Sequence, residues 1–280
     1  MAMAVTVGEE FDDLSEIYDS TRQAATELEI RAVASELGDC CTILDVGVGT
    51  GRFAKPLSDL GFEIVGIDLS RKMMLKARQK GVRNLILADA RNMPFKDGTF
   101  DASVIIHVLH LLPDWLSVAR EMGRVTKNKV AALLSNRQGE WSNASSVSGN
   151  SASPVYSELW VRYTQLRQEM GYPVKRNKRM WQNEAEIRAK LPPMKLIEVS
   201  DEVIVTNISY LITRFQQRSY FLQQDIPRGV HQKIIQKLLR STESAGSTSK
   251  EAASALREKQ VTRRIIEELA VWRPDQLRSG

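Results

Sequence analysis

Residues 42–53 read Thr-Ile-Leu-Asp-Val-Gly-Val-Gly-Thr-Gly-Arg-Phe, and the fold class follows from this stretch. It opens with a short apolar run rich in β-branched side chains, which predicts a buried strand. The three glycines, Gly47, Gly49 and Gly51, allow the backbone to turn tightly and to approach a ligand with no Cβ in the way. A helical pattern follows from Phe53, so free N–H groups at its first turn would face the same loop. The stretch therefore predicts a strand, a ligand-binding loop and a helix, in that order.

Four more apolar runs follow, and helical patterns separate most of them. The runs span Glu63–Asp68, Leu85–Asp89, Phe100–Ile106 and Lys129–Leu134. Ser70 is placed to cap the helix after the second strand, and Pro113 to open the helix before the fifth. Strands that read as apolar runs and alternate with helices are typical of a parallel sheet covered on both faces. We therefore predict an α/β fold of the Rossmann-like kind with a mostly parallel sheet.

The flanking segments are predicted from less regular patterns. Phe11–Leu37 has helical spacing of its apolar residues and is predicted to form one helix, with Gly38 at its C-cap. Gln138–Pro154 is rich in Ser, Asn and Gly, which predicts a loop at the carboxyl edge of the sheet and makes it a lid candidate. Val261–Trp272 is predicted to be a closing strand, with a helix as the alternative. The other predictions are helices at Pro154–Met170, Ala185–Leu191, Ile208–Leu222 and Val230–Leu239, a strand at Lys195–Val205, and a connector at Thr242–Ala255.

Composition limits the class of protein and its location. The 280 residues are 42% apolar and 26% charged, as is ordinary for a globular enzyme, and the net charge is +5. No run approaches the roughly 18 apolar residues that cross a bilayer, and the first residues lack the regions of a signal peptide, so a cytoplasmic location is expected. The two cysteines, Cys40 and Cys41, are adjacent, which excludes a disulfide framework and disfavours a thiolate zinc site. We expect no membrane contact and no metal site.

The spacing of glycines and acids favours one class of cofactor. Nicotinamide and flavin loops follow Gly-x-Gly-x-x-Gly and phosphate loops end in Gly-Lys-Ser/Thr, whereas this loop follows Gly-x-Gly-x-Gly and then Arg52. Asp45, just before the first glycine, would repel a pyrophosphate but suits the ammonium of a methionine moiety. Asp68 ends the second strand, where a carboxylate can accept from both ribose hydroxyls. Asp89 ends the third strand and can accept from an adenine amino group. The simpler alternatives are a helix cap for Asp68 and a turn for Asp89.

These pieces together resemble the class I S-adenosylmethionine (SAM)-dependent methyltransferases, and most of all the small-molecule branch that includes the ubiquinone and menaquinone methyltransferases. The matching pieces are Leu44–Gly51, Gly66–Ser70, Ala88–Phe95 with Gly98–Asp101, and Val104–Leu112. They keep the family's order and spacing over residues 40–135. The resemblance implies a seven-stranded, mostly parallel sheet with a helical cap, SAM as the cofactor, and methyl transfer to a small-molecule acceptor.

The resemblance also implies which residues bind SAM. From its methionine end to its adenine, these are Asp45, Gly47, Gly49 and Gly51, then Asp68, Leu69 and Met73, and then Asp89 and Ala90. Ile106 and His107, at the end of the fourth strand and just beyond it, would line the methyl-transfer site. Tyr18 and Arg22 lie in a segment similar to the family's helix that closes over SAM, and they would reach the SAM carboxylate.

The resemblance implies a domain organisation as well. Residues 1–38 would be a helical lid segment, 39–136 the SAM-binding core, and 137–280 a substrate cap followed by the closing strands of the same domain. Thr126–Lys129 departs from the Lys-Pro-Gly-Gly turn that the family usually has before the fifth strand. Because Asn128 can adopt a left-handed conformation, we expect that loop to persist. Beyond Asn136 no family role is carried over.

Two histidines are candidates for proton transfer. A phenol or an acidic carbon can require a general base before it is methylated, and imidazole suits that role at neutral pH. His107 and His110 both follow the fourth strand, and in a helical turn residues three apart lie on one side. The alternative is that His107 hydrogen-bonds the backbone or SAM and that His110 packs. His231 is expected to be structural.

Three other functions stay open at this point. The positive charge and the basic run Lys175–Arg179, which lies between Tyr172 and Trp181, are compatible with an RNA methyltransferase. Ile106–Leu109 stands, however, where nucleic-acid enzymes carry an Asn/Asp-Pro-Pro-Tyr/Phe type signature. A non-catalytic SAM-binding protein would keep the same acids, since they indicate binding and not turnover. A nicotinamide-dependent oxidoreductase is disfavoured by the glycine spacing.

Overall fold

The computed structural model describes residues 7–21, 24–112, 114–143, 154–173, 183–218, 223, 226–244 and 260–278. Arg22, Pro113 and the basic run Lys175–Arg179 lie outside the described residues. The chain forms two compact units. Unit 1 consists of Met1–Asn136, Asn177–Asp201 and Ile266–Gly280, and unit 2 consists of Arg137–Arg176 and Glu202–Ile265.

The helices and strands alternate through the first half of the chain. The helices are α1 (Val7–Thr21), α2 (Glu27–Leu37), α3 (Ala54–Asp59), α4 (Arg71–Gln79), α5 (Trp115–Val125), α6 (Pro154–Glu169), α7 (Asn183–Lys190), α8 (Ile208–Gln216), α9 (Arg228–Ser244) and α10 (Pro274–Arg278). The strands are β1 (Thr42–Val46), β2 (Glu63–Asp68), β3 (Asn84–Leu87), β4 (Phe100–Ile106), β5 (Thr126–Asn143), β6 (Lys195–Asn207) and β7 (Gln260–Trp272). A 3-10 turn spans Leu109–Leu111.

The strands form one seven-stranded sheet in the order β3-β2-β1-β4-β5-β7-β6. The pairs β1–β2, β2–β3, β1–β4 and β4–β5 are all parallel. The predicted α/β class with a mostly parallel sheet is therefore confirmed. Strand order reverses between β1 and β4, and in open α/β sheets this switch point leaves a crevice at the carboxyl ends of the strands. The glycine loop after β1 and the turn after β4 both lie at that crevice.

Each unit has its own apolar core. In unit 1, alternate residues of β1 pack on opposite faces of the sheet, with Leu44 in one buried cluster and Ile43 in the other, as a strand covered on both faces requires. In unit 2, α6, α8 and α9 bury Tyr163, Phe215 and Ile234 together. In the described part of the chain, no helix has both the length and the apolar character needed to cross a membrane.

The N-terminal helical segment is broken, and the prediction of a single helix over Phe11–Leu37 is wrong. α1 ends at Thr21 and α2 starts at Glu27. Thr26 caps α2, because its Oγ1 accepts from the Glu29 N–H while the Glu29 carboxylate accepts from the Thr26 N–H at 2.6 Å. This capping box favours a helix start over helix continuation. Gly38 ends α2 as predicted, with a φ of 56°.

The loop predicted at Thr126–Lys129 is absent, since α5 passes directly into β5 at Thr126. Phe100 pairs with Thr126 and Ala102 with Lys129, so β5 carries a bulge at this point. Asn128 has no positive φ, contrary to our expectation. The Thr126 hydroxyl donates to Ser103 Oγ at 2.8 Å in the buried interior, which favours pairing of the strand from that residue onward.

The second half follows the predicted elements with shifted bounds. β7 forms as a strand, so the alternative of a helix over Val261–Trp272 is wrong. β5 continues to Asn143, whereas Gln138–Asn143 was expected to belong to a loop. Strand propensity depends strongly on pairing with neighbours, and β5 lies between β4 and β7. α8 ends at Gln216, earlier than predicted, and α9 extends to Ser244.

Candidate functional site

The glycine loop joins β1 to α3 at the carboxyl edge of the sheet. Gly47, Gly49 and Gly51 have φ angles of 75°, 54° and 77°, which L side chains rarely adopt. A Cβ on Gly47 would lie 2.7 Å from Val108 Cγ2, so the chain after β4 passes close to the loop. A Cβ on Gly49 would meet only the Gly47 carbonyl oxygen, at 3.9 Å. The loop is thus closely packed at Gly47 and open at Gly49, where a ligand can approach the backbone.

Asp68 lies at the end of β2 and orders the glycine loop. Its Oδ2 accepts from the Gly49 N–H and its Oδ1 from the Ser70 N–H, both at 2.8 Å. Burial raises the pKa of Asp68 above its usual value, although backbone hydrogen bonds from Ser70, Gly49 and Leu69 lower it. An ionised carboxylate has about four lone-pair sites, so it can still accept from a ribose hydroxyl.

Asp45 is the most deeply buried acid of the site. Burial, and then the charge of Asp68, raise its pKa to about 7. Among the residues that the structure describes, none donates a hydrogen bond to its carboxylate. A buried carboxylate without a partner is costly, and an ammonium group of a ligand would remove that cost. Asp45 would therefore suit the ammonium group of SAM, and Asp68 would suit its ribose hydroxyls.

The residues assigned to adenine differ in what they can offer. Leu69 is exposed and can cover a flat ring, whereas Met73 is fully buried in the interior. The Asp89 carboxylate is paired with the Arg91 guanidinium at 2.6 Å and accepts from the Arg91 N–H at 2.9 Å. These contacts, and above all the Arg91 side chain, lower the pKa of Asp89. Ala90 packs against the apolar core beside the turn that Asp89 makes.

α1 lies across the glycine loop and the start of α4. The buried Thr50 hydroxyl donates to Asp19 Oδ1 of α1 at 2.6 Å. Asp12, about two turns earlier on α1, accepts from Ser70 Oγ at 2.6 Å and from the Lys72 N–H at 3.0 Å. Two carboxylates of α1 are therefore bonded to the segments that follow β1 and β2.

The other predicted residues are placed as follows. Tyr18 is half-buried on α1, and Arg22 is outside the described residues. Ile106 ends β4 and packs against the second apolar cluster of unit 1. His110 is half-buried in the 3-10 turn.

His107 follows β4 and lies between two carboxylates. Its Nε2 is 3.7 Å from Glu29 Oε1, and its Nδ1 is 3.9 Å from Glu267 Oε2. Ser135 Oγ is 3.3 Å from Nδ1 and donates to the Glu267 carboxylate at 2.8 and 2.9 Å. We refer to Glu29, His107, Ser135 and Glu267 as the His107 cluster. All four residues belong to unit 1.

His107 has a strained backbone, and its ring packs beside the glycine loop. His107 has a φ of 55°, a left-handed conformation that is uncommon outside glycine. Strain of this kind persists only where the surrounding structure holds it. The ring packs edge-on against Phe53, just after the loop, with 6.3 Å between ring centroids. The side chains of His107, Glu29 and Glu267 are 23%, 9% and 15% exposed, so solvent screens the cluster poorly.

Glu29 is held in place from its own helix. Its Oε2 accepts from the Thr26 N–H and hydroxyl, while Oε1 points to His107. Burial raises the pKa of Glu29, but His107 and Thr26 outweigh it, so the pKa lies below its usual value. Glu29 is therefore a carboxylate at neutral pH.

Glu29, Ser135 and Glu267 were not identified from the sequence. The Thr26-x-x-Glu29 spacing of a capping box was a usable signal for a helix start, but it assigns Glu29 to a cap and not to a site. Ser135 is 28 residues from His107 and 132 from Glu267, so no local pattern joins them.

The ligand atoms of Glu29, His107 and Glu267 all lie within 4.8 Å of one another, so a metal ion has to be considered. The two carboxylates face opposite nitrogens of one imidazole. The same three side chains also form an arrangement in which an imidazole lies between two acids, with one carboxylate near each ring nitrogen.

The fold is an α/β domain with a glycine loop and two buried acids at the carboxyl edge of its parallel strands, a place where such domains commonly bind a nucleotide-like cofactor. The family model described as a methyltransferase domain matches residues 44–134. The demethylmenaquinone methyltransferase of Renibacterium salmoninarum is 32% identical over 126 residues, which cover 42% of this chain and 52% of that protein. Residues 44–134 therefore form a methyltransferase domain similar to the class I SAM-dependent methyltransferases, whose cofactor is SAM.

Other proteins are similar to smaller or larger parts of the chain. The 18S rRNA (guanine-N(7))-methyltransferase of Bos taurus is 35% identical over 98 residues, which cover 34% of each chain. The crystal structure of the YcgJ protein of Bacillus subtilis has a TM-score of 0.47 at 19% identity, and covers 87% of this chain and 97% of that one. The chain spans about half the length of the curated relative that it matches first.

Proposed function

We propose that the protein transfers a methyl group from SAM to a small-molecule acceptor bound beside His107. One observation carries this proposal: the buried carboxylate of Asp45, without a partner among the described residues, lies just before the glycine loop on β1, at the switch point where β1 pairs with β4. The name of the demethylmenaquinone methyltransferase relative supports a small molecule as acceptor.

In this proposal, different residues of the chain bind the cofactor and accept a proton. Asp45 pairs with the ammonium of the methionine moiety, Asp68 accepts from the ribose hydroxyls, and Leu69 covers the adenine. When bound, SAM supplies a methyl group activated by its sulfonium. The protein then has to hold the acceptor atom in line with that methyl group and exclude water. His107 is the group placed to accept a proton from the acceptor at a ring nitrogen.

We also propose that α1 acts as a lid over the cofactor. Asp12 and Asp19 bond to Ser70 and Thr50, which follow the two strands that carry the cofactor acids. With those contacts made, α1 covers the loop side of the crevice.

Calorimetric titration of the protein with SAM, S-adenosylhomocysteine and NADH tests the proposal. We expect SAM and S-adenosylhomocysteine to bind with dissociation constants of about 10 μM, and we expect NADH not to bind. Asp68→Asn should weaken SAM binding by about tenfold or more, because one acceptor of the ribose hydroxyls is lost. Asp59→Asn, at an exposed acid of α3 that pairs with Lys55, is the matched control. Failure of both SAM and S-adenosylhomocysteine to bind would overturn the proposal.

RNA is the second candidate acceptor. The RNA methyltransferase relative and the net charge of +5 favour it. Binding that rests on phosphate contacts falls steeply with salt. RNA that binds at 50 mM salt and methylation of RNA by labelled SAM would establish this candidate, whereas methylation of small molecules alone would exclude it.

A further inference from the structure

We propose that the acceptor atom is an amine nitrogen, which Glu29 and Glu267 select by their charge. This inference rests on the proposed methyl transfer and adds the chemical class of the acceptor. Its basis is the His107 cluster, which lies where the chain after β4 passes the glycine loop.

The cluster is negatively charged in either protonation state of its histidine. Glu29 is a carboxylate at neutral pH, and the Ser135 hydroxyl donates to both oxygens of Glu267, which favours the charged form. Two formal negative charges remain when the imidazole is neutral, and one remains when it is protonated.

Glu29 also keeps one oxygen available for a ligand. Its side chain is nine-tenths buried, and its Oε1 faces His107 Nε2 at 3.7 Å. A buried carboxylate oxygen with so long a contact can still accept from a ligand that brings N–H groups. A protonated amine offers three such donors, enough for both carboxylates and the imidazole.

The negative charge of the cluster favours an amine over a phenol or an acidic carbon as the nucleophile. A phenol or an acidic carbon becomes an anion before it is methylated, and two nearby carboxylates oppose that anion. An amine takes the opposite course. Its nitrogen lone pair forms the bond to the methyl carbon while the carbon–sulfur bond breaks and leaves its electron pair on sulfur. Positive charge then builds on nitrogen, where the carboxylates stabilise it.

Proton transfer fits the same nucleophile. An amine that arrives as an ammonium ion loses one proton before it reacts, and His107 accepts that proton at a ring nitrogen between the two carboxylates. After transfer, the methylated ammonium can leave as a cation or pass a further proton to solvent. No oxidant, reductant or metal ion is needed for either step.

Sinefungin provides a test that does not require the acceptor to be known. This SAM analogue carries an amine-bearing carbon in place of the methylated sulfur, so its ammonium occupies the methyl-transfer position. We expect sinefungin to bind about tenfold or more tightly than S-adenosylhomocysteine, which has no charge there. In Glu29→Gln/Glu267→Gln this preference should fall to about twofold or less, with S-adenosylhomocysteine affinity kept. Glutamine at position 29 can still complete the capping box.

Glu27→Gln is the matched control, since Glu27 is exposed on the same helix and pairs with Arg31. It should keep the full preference for sinefungin. Equal affinities of the wild type for the two ligands, or a preference that survives in the double variant, would overturn the inference. If neither ligand binds, the proposed function has failed as well, so the two failures are distinguishable.

Turnover gives the second test. Tyramine carries a primary amine and a phenol in one small molecule, and tandem mass spectrometry identifies which of them gains the methyl group. We expect N-methyltyramine and no O-methyl product. In a panel of other acceptors, we expect amines to be methylated and phenols not to be. O-methylation, or activity that EDTA removes and a divalent cation restores, would overturn the inference.

Discussion

Thr50 of the glycine loop donates a hydrogen bond to Asp19 of α1 at 2.6 Å, and this bond joins the N-terminal helix to the cofactor loop. Thr50 is buried, so its hydroxyl cannot turn to water when Asp19 is removed. Asp19 also pairs with Lys80 at 2.7 Å. Burial raises the pKa of Asp19, but Lys80 and Thr50 outweigh it and the pKa is lowered.

Replacing Asp19 should therefore loosen the proposed lid. Asp19→Ala leaves the buried Thr50 hydroxyl without its acceptor, which costs about 1–3 kcal/mol. We expect faster amide hydrogen exchange in α1 and SAM binding weakened by about threefold to tenfold, mostly through faster release. Asp59→Asn is again the control. Unchanged exchange in α1 would show that Asp19 does not hold the helix.

The pKa of Asp45 predicts a pH dependence of SAM binding. Because this pKa is raised to about 7, Asp45 is mostly protonated below that pH and cannot pair with an ammonium as a carboxylate. SAM affinity should rise with pH between about 5.5 and 7, by up to tenfold per pH unit. Titrations at half-unit pH steps would measure it. In Asp45→Asn the affinity should be lower and flat over this range, and a slope that persists there would assign the dependence to another group.

Arg124 anchors the loop that follows β3. Its guanidinium donates to the Phe95 carbonyl at 2.7 Å and to the Met93 carbonyl at 3.1 Å, and pairs with Glu121 and Asp97. Glu121 in turn accepts from the Met93 N–H at 2.8 Å. Arg124→Ala leaves these acceptors unpaired and should lower the free energy of unfolding by about 1–3 kcal/mol. Denaturant unfolding measures this, and Arg83→Ala, at an exposed arginine, should change it by less than about 0.5 kcal/mol.

His231 should make unit 2 sensitive to acid. Its Nδ1 lies 3.0 Å from the Tyr163 hydroxyl and its Nε2 lies 2.9 Å from the Phe215 carbonyl, so the neutral ring can satisfy both contacts. Burial lowers its pKa to about 4, against 6.5 for the free side chain. The unfolded chain thus binds more protons, and the stability of the native state falls as pH drops from about 6.5 to 4, by up to about 3 kcal/mol.

Urea unfolding at pH 7.5, 5.5 and 4.5 would check this dependence. Hydrogen exchange of the amides in α6, α8 and α9 would report on unit 2 separately. His231→Gln should be less stable at pH 7.5 because it loses the packed ring, but its stability should change less between these pH values. An equal pH dependence in both proteins would contradict the role of His231.

Much of the fold could be predicted from local sequence. β2 and β4 have the predicted bounds, because a strand buried on both faces must be apolar at nearly every position. Gly47, Gly49 and Gly51 mark the loop, because only glycine adopts its positive φ angles at little cost. The positions of Asp45 and Asp68 near the ends of β1 and β2 could be predicted for the same reason, and their roles toward the cofactor stay a prediction.

Where local patterns competed with tertiary contacts, prediction failed. Thr26 and Glu29 break the N-terminal helix through a capping box that apolar spacing alone does not reveal. Thr126 enters β5 directly, because its hydroxyl bonds to the buried Ser103 and its backbone pairs with Phe100. Pairing partners that are distant in the chain decided both the start and the length of β5.

The sequence by itself determined the class of fold, the cofactor loop and the carboxylates Asp45 and Asp68, because each depends on one strand and the turn behind it. Only the tertiary structure decided the cluster of charges around His107. Glu29 comes from α2, His107 from the end of β4 and Glu267 from β7, and no periodic pattern relates them. His107 reaches the glycine loop because the switch point of the sheet lies between β1 and β4, and Glu267 comes near it because β5 is next to β4 and β7 is next to β5 in the strand order.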